Sequence, residues 1–262
     1  MLFERRKIAM VVAEFLGTAL LTAVILAVSK SSLALPYFVS IAAALAAAAG
    51  MVVFGAISGA HLNPVVTIGL WTARKIKTWP AIAYVIAQLL GGAAAYLLYT
   101  YLIDSSLRNA SEYNARVLVA EAVGAFIFVL GWATVVYRKL ELGKSAFAVG
   151  SALFLGMLVA SMGSAGLLNP AVALAAHTWV WGTYVLGPIL GGIIGFNLYA
   201  LLFAPPSTLT DDVEDKEDKP AVAAAEVAKA KSTTTKNSST KKNNSSNSKN
   251  SSSSNGRKKQ SK

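Results

Sequence analysis

At residues 58–65 the chain reads SGAHLNPV, and at residues 165–171 it reads AGLLNPA. Both stretches interrupt an otherwise apolar sequence, and each places Asn directly before Pro, the arrangement that starts a helix with Asn as its N-cap. The apolar stretch after each turn, 65–74 and 171–180, has only about ten residues, which as a helix span ~15 Å, half of a ~30 Å hydrocarbon core. Two half-spanning helices in matching positions predict a binding or conduction site at the membrane midplane.

The composition is that of a polytopic membrane protein. Hydrophobic residues make up 55% of the 262 positions, the mean hydropathy is +0.52, and the apolar residues form long runs. The lack of cysteine excludes disulfides, thiolate nucleophiles and cysteine-based metal sites, and two histidines are too few for a histidine-rich metal site. The sequence has no phosphate-binding loop and no nucleophile beside a base, so we predict no enzyme, no cofactor and no metal.

The net charge of +11 has two parts. Residues 1–206 carry 12 Lys/Arg and 6 Asp/Glu (+6), and residues 207–262 carry 12 and 7 (+5). The first excess lies at the ends of apolar segments, as membrane proteins require, so it predicts no nucleic-acid partner. The second lies in a segment rich in Ser, Thr, Asn and Lys that cannot bury enough apolar surface to fold, which predicts a disordered basic tail. This tail could contact anionic lipid at ~1 kcal/mol per basic residue near the surface, or it could be solvated and without a role.

Six apolar segments are long enough to cross a bilayer. We predict full spans over 8–28, 37–57, 81–103, 117–137, 145–164 and 182–203. An even number of spans puts both termini on one side, which collects nine basic residues: Arg5, Arg6, Lys7, Arg74, Lys75, Lys77, Arg138, Lys139 and Lys144. The opposite loops hold only Lys30, Arg108 and Arg116. This bias predicts an integral membrane protein of the cell membrane with cytoplasmic N- and C-termini.

An internal repeat relates the two halves. The motif AEFLG at 13–17 recurs as AEAVG at 120–124, and 49 and 48 residues separate each Glu from its Asn. Each copy, 8–103 and 117–203, has three full spans, an odd number, so the second copy is inverted relative to the first. We therefore predict an all-α membrane protein with six transmembrane helices and two re-entrant half-helices in one channel domain, 1–206.

These motifs resemble those of the aquaporin and glycerol-facilitator family, the major intrinsic proteins. The resemblance covers about residues 5–204 and rests on AEFLGT at 13–18, SGAHLNPVVT at 58–67, QLLGG at 88–92 and LNPA at 168–171. It implies six spans plus two half-helices and a passive pore in each protomer. It also implies a homotetramer in the lipid bilayer, with water or small neutral solutes as permeants.

The predicted pore midplane consists of the two turns: Asn63, Pro64, Val65, Asn169, Pro170 and Ala171. The two carboxamides can aim NH₂ donors into the lumen, and each helix N-terminus adds ~+0.5 charge. Such a site favours a neutral solute that accepts hydrogen bonds and disfavours cations. A single Asn-Pro pair is usually an ordinary helix cap, but two in register within an inverted repeat favour a pore.

Three further residues carry more than one interpretation. Glu14 and Glu121 are carboxylates within apolar spans, which is typical of a proton relay or of a carboxylate that satisfies loop N–H groups; the family resemblance favours the second. His61 is either a pore-lining partner for the solute or a donor that fixes its loop, and the resemblance places it along the cytoplasmic half of the pore. For His177, which matches no family motif, we predict a structural role.

The selectivity ring departs from the family pattern. The family normally has Arg directly after the second Asn-Pro-Ala, and this chain has Val172. The spacing from the two asparagines carries the other ring positions to Ala43, Met157 and Gly166. None of these four has a charge or a side-chain donor, so we expect a wide apolar filter that passes water with small neutral solutes or gases. Ala173 also replaces the Asp that often follows the Arg in glycerol facilitators, which weakens a glycerol assignment.

Alternatives to a conducting channel stay open. One is a poorly conducting, or gas- or ammonia-permeable, family member with a structural or regulatory membrane role. Another is a coupled transporter, which would need an ion site and alternating access. The sequence Asn109-Ala110-Ser111 is an acceptor for glycosylation in a predicted external loop.

Overall fold

The computed structural model describes residues 2–32, 34–107 and 112–206. They form eight α-helices: α1 Leu2–Lys30, α2 Pro36–Ser58, α3 Pro64–Thr72, α4 Thr78–Ile103, α5 Ala115–Arg138, α6 Leu142–Ala160, α7 Pro170–Ala175 and α8 Leu186–Leu202. A π-helical turn, Trp181–Val185, leads directly into α8. The predicted tail, 207–262, and the glycosylation acceptor, 109–111, lie outside the described residues.

Six of the described helices are long and apolar enough to cross a membrane, counting the π-helical turn with α8. The predicted fold class, all-helical with six spans and two short helices between them, is confirmed. The span ends differ by a few residues; α6 lies at Leu142–Ala160 rather than 145–164. The reason is that residues 161–164 form a hydrogen-bonded turn that starts the second re-entrant loop.

Helix packing follows the internal repeat. α1 packs on α2 and α4, and α5 packs on α6 and α8 in the same way, while contacts between α2 and α6 join the two halves. The short helix α3 packs against α4 and α8, and α7 packs against α4 and the π-helical turn. Because α3 and α7 also contact each other, the bundle brings the two Asn-Pro turns together at its centre.

Both short helices begin as the sequence predicts. The side-chain oxygen of Asn63 accepts a hydrogen bond from the Val65 N–H at 2.9 Å, and that of Asn169 accepts one from the Ala171 N–H at 3.0 Å. Each Asn has an extended backbone and is followed by Pro, so the first orphan donor of each helix is satisfied within the motif. α3 has nine residues, about 13 Å of helix.

The second short helix ends earlier than predicted, at Ala175 instead of residue 180. His177 adopts a left-handed backbone, φ +53°, and the Thr178 N–H donates to the Ala173 carbonyl at 3.0 Å, as in a Schellman motif. The imidazole packs against the Tyr96 ring at a tilt, with centroids 4.2 Å apart and ring planes at 34°. Gly or Asn usually occupies such a position, so the sequence carries no ordinary stop signal there.

Two glycine pairs let the spans approach their neighbours closely. A Cβ at Gly91 would fall on the backbone of α1, and one at Gly191 on the backbone of α5. A Cβ at Gly92 would fall on the first turn of α7, and one at Gly192 on the first turn of α3. Each pair therefore seats one span against a partner span and against the half-helix from the opposite repeat.

Gly191→Ala should destabilise the protein, since its Cβ would meet the Ala122 carbonyl oxygen and force α5 and α8 apart. Overpacking of this kind costs about 1–3 kcal/mol. Gly143→Ala is the matched control, because a Cβ there has nothing within 4 Å. We expect a lower thermal midpoint in detergent for Gly191→Ala and an unchanged or higher one for Gly143→Ala. Equal midpoints would contradict close packing at Gly191.

Candidate conduction site

The first re-entrant loop is fixed by one buried carboxylate. Glu14 on α1 accepts hydrogen bonds from the Ser58 hydroxyl at 2.6 Å and from the backbone N–H groups of His61 and Leu62 at 2.9 and 2.7 Å. It also accepts one from Gln88 Nε2 at 2.8 Å. Residues 60 and 62 have left-handed backbones, φ +52°. The carboxylate thus accepts hydrogen bonds from N–H groups of a strained, non-helical segment, which have no acceptor within a helix.

Glu121 on α5 holds the second loop in the same manner. It accepts hydrogen bonds from the Ser164 hydroxyl at 2.8 Å and from the N–H groups of Leu167 and Leu168 at 3.0 and 2.7 Å. The repeat is incomplete at one point, because the position that matches Gln88 is Pro188, which has no side-chain donor. The carboxylate that holds the first loop is therefore also bonded to α4, and no corresponding bond from α8 is described for Glu121.

The two asparagines bond across the centre of the molecule. Asn63 Nδ2 donates to the Leu168 carbonyl at 2.9 Å, and Asn169 Nδ2 donates to the Leu62 carbonyl at 3.0 Å. A carboxamide has two N–H donors, so each Asn commits one donor to the opposite loop and keeps one. The sequence predicted that the asparagine donors face a lumen, but it did not predict the crossed hydrogen bonds. These bonds couple the two repeats through their loops.

A narrow cavity runs beside the asparagines. Its polar side chains are those of Asn63, Asn169, His61 and Trp132, and the rest of the described lining is apolar. The space open to the centre of a water molecule is about 10 Å³, enough for about one water. No Asp, Glu, Lys or Arg is among the described lining residues, so the site can hydrogen-bond a neutral molecule but offers no charge to an ion.

The four predicted ring residues fall into two pairs. Met157 and Val172 line the cavity, whereas the described lining does not include Ala43 or Gly166. Ala43 is fully buried on α2. Gly166 turns back against the Met157 carbonyl with φ +65°, and a Cβ there would lie 2.7 Å from that oxygen. Ala47, one turn along α2 from Ala43, contributes to the lining instead.

The other residues of the two turns support the short helices. Val65 and Ala171 are fully buried, and each packs against a glycine of the opposite repeat, Gly192 and Gly92 respectively. Their prolines occupy the first helical positions. The side chains at the third motif position thus pack between helices and are not in the described lining.

His61 contributes to both the loop and the cavity. Its Nδ1 lies 3.1 Å from Thr67 Oγ1 in α3, and its ring contacts the rings of Tyr84 and Trp132 edge-on, with centroids 5.2 and 5.7 Å apart. The Tyr84 hydroxyl donates to the Ser58 carbonyl at 2.9 Å. The imidazole is therefore oriented by neighbours on three helices while it lines the cavity.

Sequence reasoning missed two aromatic residues of the cavity, Phe128 and Trp132 on α5. A signal was present in the spacing. Trp132 stands 11 residues after Glu121 (132 − 121), about three helical turns, and therefore lies on nearly the same face of α5 as that carboxylate. In an apolar span the residues that face the lumen and those that face lipid are equally hydrophobic. The inward face of α5 could therefore be inferred only from the position of Glu121.

A bundle of six spans, two half-helices capped by asparagine and a narrow uncharged cavity between them define a membrane channel. The chain belongs to the major intrinsic protein family, whose model matches residues 2–199. The resemblance predicted from its motifs is thereby confirmed, and the chain is a channel of this family and not an enzyme.

Two relatives and one solved structure show the extent of this similarity. The chain is 32% identical over 230 residues to aquaporin Z of Photorhabdus laumondii, across 76% of this chain and 98% of that protein. It is 34% identical over 179 residues to human aquaporin-1, across 61% of this chain and 65% of that protein. Its fold is similar to that of the aquaglyceroporin from Plasmodium falciparum, with a TM-score of 0.60 and 23% identity over 74% of this chain and 95% of that one.

Glu14→Gln should disrupt the first loop, because a carboxamide presents one acceptor oxygen to four donors and turns an NH₂ group toward at least two of them. Each orphaned buried donor costs about 1–3 kcal/mol. We expect a lower thermal midpoint in detergent and a loss of osmotic water permeability in vesicles. Glu112→Gln, in an exposed loop, is the control. A variant at Glu14 with parental midpoint and permeability would refute the loop-holding role.

Proposed function

We propose that this chain is a passive channel for water and small neutral solutes whose outer filter has no charged or hydrogen-bond-donating side chain. The observation that carries the proposal is the crossed pair Asn63–Leu168 and Asn169–Leu62 beside a cavity without charged side chains. The family model that matches residues 2–199 supports the same function class.

The asparagine pair supports selection for neutral solutes. Each carboxamide retains one N–H donor, and both side chains line the cavity. Donors at a constriction stabilise a water or hydroxyl oxygen that has lost its hydration shell and give nothing to a cation. We propose that Asn63 and Asn169, held by Pro64, Val65, Pro170 and Ala171, form the midplane site.

The filter is proposed at Ala43, Met157, Gly166 and Val172. The support is that Met157 and Val172 line the cavity and that Gly166 packs directly on the Met157 backbone. With Val172 in place of Arg, this ring lacks the fixed positive charge that helps to exclude cations, and it offers a passing solute only apolar contacts.

The two buried glutamates are proposed to hold the loops and not to relay protons or bind a coupling ion. Glu14 and Glu121 accept every hydrogen bond described for them, and the donors lie in the two loops, at Ser58 where α2 ends, or in Gln88. This use of both carboxylates argues against coupled transport. We propose that His61 lines the cytoplasmic half of the pore.

A second candidate function is a poorly conducting or gas- or ammonia-permeable channel with a structural or regulatory membrane role. The small size of the cavity favours it, because about 10 Å³ holds roughly one water. Phe128 and Trp132 form part of the wall, and Trp132 contacts His61 of the first loop. Water conduction by the purified chain decides between the two functions.

We further propose that four copies assemble in the cell membrane with cytoplasmic termini, as the family resemblance and the nine-to-three distribution of basic residues favour. Large apolar side chains cover the outside of the bundle, which suits contact with lipid or with other copies. The domain division at residue 206, and a contact of the basic tail with anionic lipid, are proposals from sequence.

The test is stopped-flow light scattering on proteoliposomes that contain the full-length chain, with impermeant sucrose or with glycerol as the osmolyte. We expect rapid shrinkage in sucrose and reswelling in glycerol. Val172→Arg should slow the reswelling about tenfold or more, since a cost of 1.36 kcal/mol at the filter already gives that factor. Shrinkage no faster than that of empty vesicles would reject the open channel and favour the second candidate.

Two further variants separate hydrogen-bond donation from bulk at the filter. Val172→Met adds length without a donor, and Val172→Thr adds a hydroxyl donor at nearly constant volume. If the donor-free character of Val172 matters, Thr should raise the ratio of water to glycerol permeability and Met should not. Permeabilities are normalised to reconstituted oligomer, measured by size-exclusion chromatography. An identical ratio in all four proteins would remove Val172 from the filter.

A further inference from the structure

One buried polar atom in the cavity wall has no partner in the protein. Trp132 on α5 is 2% exposed, and its indole Nε1 makes no hydrogen bond with any described residue. The other such atoms in the described part of the chain are the Thr18 and Thr22 hydroxyls on α1. Unlike a hydroxyl, which can rotate toward its own helix, an indole N–H is a donor only and points in one direction.

Trp132 lines the same cavity as the two asparagines. A buried donor that lacks a protein acceptor is unfavourable unless a water or another small molecule accepts its hydrogen bond. Because Trp132 forms part of the cavity wall, a molecule in the lumen is the candidate acceptor for the indole N–H. The nitrogen itself has almost no accessible surface in this structure, so a permeant reaches it only when the neighbouring side chains move aside.

His61 adds a second polar group to the same wall. Its Nδ1 pairs with Thr67 Oγ1 at 3.1 Å, and that oxygen also accepts a hydrogen bond from Gln88 Nε2 at 2.9 Å. His61 Nε2 makes no hydrogen bond with a described residue, and it donates or accepts according to which ring nitrogen carries the proton.

The two rings pack edge to face. The His61 and Trp132 centroids are 5.7 Å apart, with ring planes at 82°. Together the indole N–H and His61 Nε2 suit a small polar molecule that can both accept and donate, as water and small hydroxylated solutes do. The neighbouring lining residues Phe128, Val149 and Leu153 offer only apolar surface.

The internal repeat shows that this position is specialised. Trp132 follows Glu121 by 11 residues (132 − 121), and its counterpart in the first repeat, 11 residues after Glu14, is Ile25 (25 − 14), which also lines the cavity. The first repeat thus places an aliphatic side chain where the second places the largest side chain, with a donor. The indole therefore adds bulk and a polar group to the cavity wall beside His61 of the first loop.

We propose that Trp132, together with His61, forms a second selectivity element, which passes water in preference to larger polyols by its cross-section and by the indole N–H donor. The proposal rests on the channel function proposed above. It places at Trp132 a limit on solute size that the apolar ring at Val172 does not supply. Glycerol, which passes that ring, meets its main barrier at Trp132.

Two variants separate the donor from the bulk of the indole. Trp132→Phe removes the N–H and keeps an aromatic ring, and Trp132→Ile installs the residue of the first repeat. Water permeability is measured from shrinkage in sucrose and glycerol permeability from reswelling, with proteoliposomes of the full-length chain normalised to reconstituted oligomer. Trp79→Ile, at a tryptophan that is 81% exposed on α4, is the matched control.

We expect Trp132→Phe to lower water permeability about two- to tenfold, the factor that corresponds to one net hydrogen bond, without raising glycerol permeability. Trp132→Ile should raise the ratio of glycerol to water permeability several-fold, and Trp79→Ile should change neither. Unchanged permeabilities in both Trp132 variants, with a conducting parent, would overturn the proposal and leave the channel function intact.

The remaining outcomes also discriminate. If the parent and both Trp132 variants conduct no better than empty vesicles, the channel function fails. If the parent does not conduct but Trp132→Ile does, the indole is the barrier and the proposal of an open channel is the one that fails. Equal loss of conduction in Trp132→Phe and Trp132→Ile, with oligomers of normal stability, would assign Trp132 a structural role and overturn the proposal.

Discussion

Non-helical backbone at the centre of a membrane must find hydrogen-bond partners within the protein, because lipid offers none and each orphaned group costs several kcal/mol. Glu14 and Glu121 meet this requirement for the two re-entrant loops. A carboxylate suits the task, since its two oxygens together accept about four hydrogen bonds. With the loops held from behind, their carbonyls at Leu62 and Leu168 are free to accept the crossed bonds from Asn169 and Asn63.

The glycine pairs meet a second requirement, the close approach of the half-helices to the spans. The loops can meet only if the half-helices sit deep in the bundle, and Gly92 and Gly192 provide the space on α4 and α8. Gly91 and Gly191 allow the same two helices to contact α1 and α5, which carry the glutamates. Each glycine pair therefore fixes a distance between the two repeats. Gly91 and Gly92 position α7 relative to Glu14 on α1, and Gly191 and Gly192 position α3 relative to Glu121 on α5.

Much of this arrangement could be predicted from sequence because it repeats. The glutamates, the Asn-Pro turns and the glycine pairs each occur twice at matching spacing, and a repeated pattern separates a constrained residue from chance. The features that escaped prediction occur once. The end of α7 depends on the left-handed backbone of His177, whose ring packs against Tyr96. No residue type in the local sequence indicates this helix end. The cavity lining by Trp132 depends on which face of an evenly apolar α5 is turned inward.

The departures from the repeat are also where the two ends of the pore acquire different properties. Gln88 donates to Glu14, which holds the first loop, and to Thr67, which contacts His61, whereas Pro188 has no side-chain donor. Trp132 contacts His61 in the cavity wall, whereas its counterpart in the first repeat, Ile25, lines the cavity with an aliphatic side chain. A symmetric scaffold fixes the central asparagines by reciprocal bonds, so substitutions at its unpaired positions can change what reaches the centre without disturbing the centre itself. In the function proposed above, selectivity follows from the positions at which the symmetry is broken, and conduction follows from the symmetry that is kept.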